Sequence, residues 1–428
     1  MVTDQGRAAR WVLRSVLVFD GQRALPGPHD VVVSRDRIEQ VVPSQPASFG
    51  DVPAVPGDGS WILPGLIDTH VHSTFRSEMT CYLRNGVTSI RYAGNRPSDV
   101  AGLRKANAEN GRPAPRIFSC GPMIDGTPPS YPESSEVVDT PSEGRRIVRR
   151  LLSEGVDSLL AVQHVGADVL GAIVEEGHAA GVPVFGQLWR VDAAEAARIG
   201  IDQLDNTSRI FASRELPEAE LGKSRPVAER IAVWRRGWAT VDWDATRPLM
   251  ASMVERGVAY CPTYIRGLWA AGVGPGTEEG LLADRDAELF GEEELAAWRG
   301  RLGRGLRGGD DAEDWTRALD ALVRWIDEFQ SMGGTIVAGT DAQFGGILLH
   351  EELRLLRDAG LGADDALAAA TGAAGAALGR PGELGCIRPG AIADLVQITA
   401  DPRQEPGAIR RPLRVVIGGR LVDGTEWR

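Results

Sequence analysis

His70-Val71-His72 follows the apolar run Trp61-Ile62-Leu63-Pro64-Gly65-Leu66-Ile67-Asp68. Side chains alternate along an extended chain, so two histidines one residue apart turn their imidazoles to the same side. Two borderline-soft nitrogen donors held side by side reach a single divalent metal ion. Metal chemistry at the end of a strand is therefore the first expectation.

A strand end does chemistry only where a scaffold holds it. Short β-branched runs at 63–68, 89–92, 116–119, 159–162, 182–186, 203–206, 259–262 and 335–338 alternate with helical stretches such as 145–154, 168–180 and 192–199. Eight such units over roughly 320 residues predict an α/β fold, a (β/α)8 TIM-like barrel with insertions. Runs at 11–13, 16–19, 31–33 and 38–42 near one end, and at 392–398, 413–417 and 420–422 near the other, read as strands joined by Gly and Pro turns. Neither set alone supports a core, so the expectation is a small composite β-sandwich formed by both termini. Residues 1–62 plus 383–428 would form the sandwich, and 63–382 the barrel. Insertions at about 210–247, with Trp234, Trp238 and Trp243, and at about 278–328 follow barrel strands. They are expected at the catalytic face as lids or substrate walls.

The net charge of −12 over 428 residues argues against nucleic acid or an anionic membrane as partner. Cys81, Cys120, Cys261 and Cys386 form no C-x-x-C pair and read as free thiols of a reducing compartment. With neither a basic start and apolar leader nor a long apolar run, a cytoplasmic location is expected. A small molecule is the expected partner, and self-association into a homo-oligomer stays open.

The segment Leu63–His72, the segment Val337–Ala342 and the run Leu384-Gly385-Cys386-Ile387-Arg388-Pro389-Gly390-Ala391-Ile392-Ala393-Asp394-Leu395 together resemble the amidohydrolase superfamily. The resemblance spans nearly the whole chain and is to the branch of imidazolonepropionase-like and prolidase-like enzymes. It implies two metals at a barrel mouth. The H-x-H pair and an aspartate after strand 8 hold one, histidines after strands 5 and 6 hold the other, and a carbamylated lysine after strand 4 bridges them. His70, His72 and Asp341 match the first site, whereas Leu160, Gln187 and Asn206 stand at the positions of the lysine and the two histidines. Lys105 and Lys223 are the only lysines and lie in a helix and in the long insertion, so no bridging carbamylated lysine is expected. What remains is a three-ligand site for one divalent ion, Zn2+ first, then Fe2+ or Mn2+. A metal-free site of hydrogen-bonded histidines is the alternative.

Asp341 either binds the metal or shuttles a proton. His164, in the loop after strand 4, is a general acid or base, a replacement ligand, or an exposed loop histidine. Gln187 and Asn206 suit hydrogen bonds to substrate or to the metal's ligands. Tyr92, Tyr264 and Trp189 are candidate pocket walls, and the tryptophans near the barrel top favour an aromatic substrate. Asp205 should point away from the lumen if Asn206 points in, and His178 and His350 read as structural. The favoured function is an enzyme acting on a carbonyl or amide carbon of a small aromatic molecule. One metal serves as Lewis acid and the substrate brings its own nucleophile, for cyclisation, dehydration or a lyase reaction. Amidohydrolase-like cyclases that close benzoxazole-type rings in secondary metabolism, including antibiotic biosynthesis, are compatible relatives. A mononuclear amide or ester hydrolase is the second reading, and a non-catalytic ligand-binding relative the third.

Overall fold

The computed structural model describes residues 10–45, 49–72, 76–109, 113–206, 208–216, 227–272, 284–296, 312–342 and 346–422. Lys223 and parts of the expected second insertion (278–283 and 297–311) lie outside them. The chain opens with β1 (Arg10–Phe19), β2 (Ala24–Ser34), β3 (Arg37–Pro43), β4 (Ala54–Pro56) and β5 (Trp61–Pro64). Then come β6 (Leu66–Val71), β7 (Val87–Tyr92), β8 (Arg116–Ser119), β9 (Met123–Asp125) and β10 (Ser135–Val137). They are followed by β11 (Leu159–Gln163), β12 (Val184–Leu188), β13 (Gln203–Asp205) and β14 (Ala259–Cys261). Near the C-terminus lie β15 (Leu395–Ile398), β16 (Arg414–Ile417) and β17 (Arg420–Val422).

Both ends of the chain build one sheet. Its order is β17-β16-β15-β5-β1-β2-β3, with β4 beside β1. The apolar residues of the end strands meet in a core of their own, where Trp11, Leu13, Val16, Val31 and Ile38 pack with Ile387, Leu395 and Val416. The two runs expected at 11–13 and 16–19 form a single strand with a bulge, where Ser15 takes φ 56° and its amide donates to Asp30 Oδ1 at 2.8 Å.

The barrel strands pair in parallel, β6 with β7, β7 with β8, β9 with β11, and then through β12 and β13 to β14. Ser119 O of β8 accepts from the amides of Asp157 and Ser158, which tie β8 to the start of β11. The segment 335–342, the eighth strand, donates from Val337 to Tyr260 O on one side and accepts at Ala338 O from Thr69 on the other. Hydrogen bonds thus run all the way round, and alternating helices cover the outside.

The apolar run from Trp61 to Asp68 is expected as one strand from Leu63 and is instead divided at Gly65. β5 before it belongs to the terminal sheet and β6 after it to the barrel. Thr88 fills the space beside Gly65, where an added Cβ would come within 2.0 Å of Thr88 Oγ1. Gly65→Ala is expected to cost about 1–3 kcal/mol by overpacking, read as a lower midpoint in urea. An unchanged midpoint would show that the crossing tolerates a side chain. β6 also runs on to Val71, so His70 lies inside the strand rather than after it.

The insertion after β13 carries the helix Val227–Ala239, which packs on the helix Ala312–Ser331. Trp234 and Trp238 meet ring to ring at 5.9 Å, Trp238 meets Phe211 at 4.6 Å, and Trp234 meets Trp315 at 6.1 Å. These rings form the buried core of the cover, whereas the expectation was a wall for an aromatic substrate. The reason is helical spacing: Trp234 and Trp238 stand four residues apart and share the face turned to the neighbouring helix.

Candidate metal centre and active site

Three ligating groups converge at the mouth. His72 Nε2 lies 2.9 Å and His70 Nε2 3.7 Å from Asp341 Oδ1, and the ligand atoms of the three residues all fall within 4.8 Å of one another. It is the one such group among the described residues. His70 Nδ1 donates to Asp205 Oδ2 at 2.6 Å, which leaves the Nε2 lone pair free. That Nε2 is buried and has no hydrogen-bond partner. An enclosed imidazole lone pair beside a second imidazole and a carboxylate fits one divalent ion. Burial alone would lower the His70 pKa, but the Asp205 hydrogen bond and the Asp341 charge outweigh it and hold it raised. Burial also works to raise the Asp341 pKa, yet Arg266 and the two histidines drive it far below the usual carboxylate range.

Asp205 overturns one expectation. It faces the lumen, fully buried, with Arg91 NH2 at 3.7 Å and the Gln203 amide on its second oxygen. Alternation would have turned it away if Asn206 faced in. β13 ends at Asp205, however, and Asn206 takes the left-handed φ of 45°, so both side chains reach the site. Asn206 Nδ2 donates to Asp341 Oδ2 at 2.6 Å. Thr263 and Asp341, at the ends of the next two strands, share that conformation with φ 42° and 48°. Left-handed backbone is rare for any residue with a side chain and a real outlier for β-branched threonine. Asn206 and Asp341 are residue types that tolerate this region, so the strain at the mouth falls on Thr263.

Arg266, which sequence reasoning missed, brings its Nε to 3.4 Å from Asp341 Oδ2. It rides on the helix Tyr264–Ala270, whose first amides, Tyr264 and Ile265, donate to the buried carboxyl of Glu352 at 2.8 and 2.9 Å. Burial pushes that carboxyl up to about 8, against the pull of the two amides. Nothing in the local pattern distinguishes Arg266 from the other surface arginines.

The half of the lumen beside strands 4 and 5 is apolar. Leu160, Val162 and Phe185 pack with Ala93, Cys120 and Met123. Arg91 stacks on Phe185 at 3.5 Å, and Phe185 presents its edge to His70 at 6.0 Å between centroids. Gln187, two residues beyond Phe185, is on the same face and 8% exposed.

His164 is buried, which removes the reading as an exposed loop histidine, and it stands outside the group formed by His70, His72 and Asp341. Tyr92 is level with Val71, between the two histidines, and packs partly buried against the barrel core. Tyr264 is buried in that core, where burial raises its hydroxyl to about 12, and Trp189 is buried as well. His178 pairs with Asp202 at 2.9 Å and His350 with the Asn85 carbonyl at 2.9 Å, neither partner being a ligating residue of the mouth.

Comparison with known proteins points one way. The model of the Amidohydrolase family matches residues 318–422. The fold is that of bottromycin amidohydrolase (TM-score 0.74, 24% identity, 99% of this chain and 89% of that one). A Xaa-Pro dipeptidase crystallised with methionine in its active site gives a TM-score of 0.69 at 18% identity, over 97% and 100% of the two chains. The family model thus covers about a quarter of the chain, and the fold is shared with these solved structures over nearly its whole length. Among sequences, this chain is 24% identical to the uncharacterised protein Rv2915c of Mycobacterium tuberculosis (strain ATCC 25618 / H37Rv), over 93% of this chain and 94% of that one. It is 26% identical to imidazolonepropionase of Pseudomonas fluorescens (strain Pf0-1), over 40% and 50% of the two. No described helix is long and apolar enough to cross a membrane.

Proposed function

We propose that this enzyme closes a ring on a small aromatic substrate, joining a carbonyl or amide carbon to a nucleophile that the substrate itself carries, with loss of water. A lyase-type elimination would use the same groups. One divalent ion would be held by His70, His72 and Asp341, with Zn2+ the first candidate. Bound there, the ion would supply Lewis-acid polarisation of the substrate's carbonyl.

The engagement of Asp341 carries this reading. Its Oδ2 accepts from Asn206 and faces Arg266, and its Oδ1 faces both histidines. That network favours a carboxylate spent on positioning over one that takes a proton from water, and Leu160, Val162 and Phe185 offer no ligand for the second ion of a bridging hydroxide. Asp205 keeps the His70 lone pair turned to the site, while Leu160, Val162 and Phe185 keep water out of the other half of the lumen. Gln187 offers an amide to the substrate. Gln187→Ala is therefore expected to raise KM by about 2–10-fold, the worth of one hydrogen bond, with metal content by elemental analysis unchanged. A fall in metal content would place Gln187 among the ion's own supports.

N-Acyl-2-aminophenols and the matching anilides without the ortho hydroxyl separate the readings by product mass. Ring closure gives loss of one water from the ortho-hydroxy series alone. Gain of one water in both series would establish hydrolysis, the second reading, which the names of a dipeptidase and an amidohydrolase among the structural relatives favour. No turnover in either would overturn both.

A further inference from the structure

With both oxygens of Asp341 engaged, ring closure needs another proton acceptor. We propose that His164 is that acceptor: a neutral imidazole locked with its proton on Nδ1, its Nε2 lone pair held on the lumen side to take the proton of the substrate's nucleophile. The role rests on the ring-closing reading above, whereas the tautomer does not.

The lock follows from donors that have no choice. Arg230 only donates, and its NH1 lies 2.7 Å from Gln163, so the Gln163 atom facing it is the amide oxygen. Ser130 Oγ lies 2.8 Å from the same oxygen and must donate to it. That uses the single hydroxyl hydrogen. His164 Nδ1, 3.2 Å from Ser130 Oγ, therefore carries the hydrogen of their contact. Asp125 Oδ1 is a second acceptor on that side, 3.6 Å from Nδ1. Its carboxylate is fixed by the amides of Gly126 and His164 on Oδ1 and of Ser130 on Oδ2. A neutral ring protonated at Nδ1 bears its lone pair at Nε2.

That Nε2 is buried without a hydrogen-bond partner. β11 turns Leu160 and Val162 into the lumen cluster, and β9 turns Met123 there. Asp125 ends β9 and His164 directly follows β11, so both stand at the C-terminal ends of adjacent strands, the mouth end of the barrel. An enclosed acceptor without a donor is costly, and a donor on the substrate removes the cost. In the step itself, the nucleophile's O–H or N–H proton passes to Nε2 as its lone pair bonds the carbonyl carbon. The carbonyl π pair moves to oxygen. The imidazolium then protonates that oxygen, giving a neutral carbinol and a neutral ring.

Proton–nitrogen correlation spectra of the full-length protein at neutral pH test the lock, with His164 signals assigned by their loss in His164→Gln. Nδ1 protonated and Nε2 bare is expected, and a protonated Nε2 overturns the proposal. Gln163→Leu frees the Ser130 hydrogen for Nδ1 and should raise the Nε2–H fraction, whereas Gln163→Glu keeps an acceptor and should restore the parent tautomer. An unchanged leucine variant overturns the relay. Saturating 2-aminophenol should shift Nε2 and leave Nδ1 in place, and an unmoved Nε2 overturns the acceptor role. On a substrate that turns over, His164→Gln should lower kcat about 10²–10⁴-fold with KM changed less than about threefold. A kcat near the parent's overturns the proposal. Silence of both anilide series in the parent enzyme overturns the ring-closing reading instead, and the spectra still decide His164.

Discussion

Asp341→Asn is expected to abolish turnover, by about three orders of magnitude or more, and to empty the metal site. The substitution keeps the shape and keeps an oxygen for Asn206. It removes the negative charge that His70, His72 and Arg266 all face. Without that charge an ion would be left with two neutral imidazoles, and Arg266 would repel it at short range. Elemental analysis of the dialysed protein and the anilide assays read the two effects together. A variant that loses its metal yet keeps full turnover would end the Lewis-acid reading, as would full turnover by chelated parent enzyme.

Asp205→Ala is expected to be the most destabilising change at the site, by about 3–5 kcal/mol, because it strands a buried cation. Arg91 is fully buried, and the Asp205 carboxylate is the nearest counter-charge to its guanidinium. The same change leaves His70 Nδ1 without its acceptor and releases the tautomer, so metal affinity should also fall about 10–100-fold. Asp205→Asn keeps an oxygen for His70 and should fall between the two. Urea melts followed by circular dichroism measure the first effect. A loss under about 1 kcal/mol for the alanine variant would mean that Arg91 finds its compensation elsewhere.

Strand alternation made the pairing of His70 and His72 legible, and the resemblance carried by Val337–Ala342 added Asp341, which the fold brings beside them. Alternation also made Asp205 illegible. Alternation was carried one residue past the point where β13 ends, and left-handed backbone at a non-glycine residue leaves no mark in the sequence. Arg266 acts through the way its helix is pinned by Glu352, some 90 residues on in sequence, which no local pattern reports. The tryptophans showed their spacing but not which side of the cover they serve. Gly65 was visible as a glycine in an apolar run, and its meaning as a crossing between two sheets needed Thr88 beside it. The stacking of Arg91 on Phe185, beside Leu160 and Val162, required the fold.

The sharing of one sheet by both chain ends sets a timetable for the protein's birth. Ser60 and Gln397 are hydrogen-bonded at 2.7 Å across 337 residues of sequence. During synthesis β5 must wait on the order of tens of seconds for β15 to leave the ribosome. Throughout that time its edge is open, one residue from the strand that carries His70. A nascent chain at that stage holds most of the barrel and an unpaired strand edge, the arrangement most prone to pair with a neighbour. Production of this protein should therefore depend on fast translation of the span between β5 and β15, or on chaperones that shield that edge, more than on the stability of the finished fold.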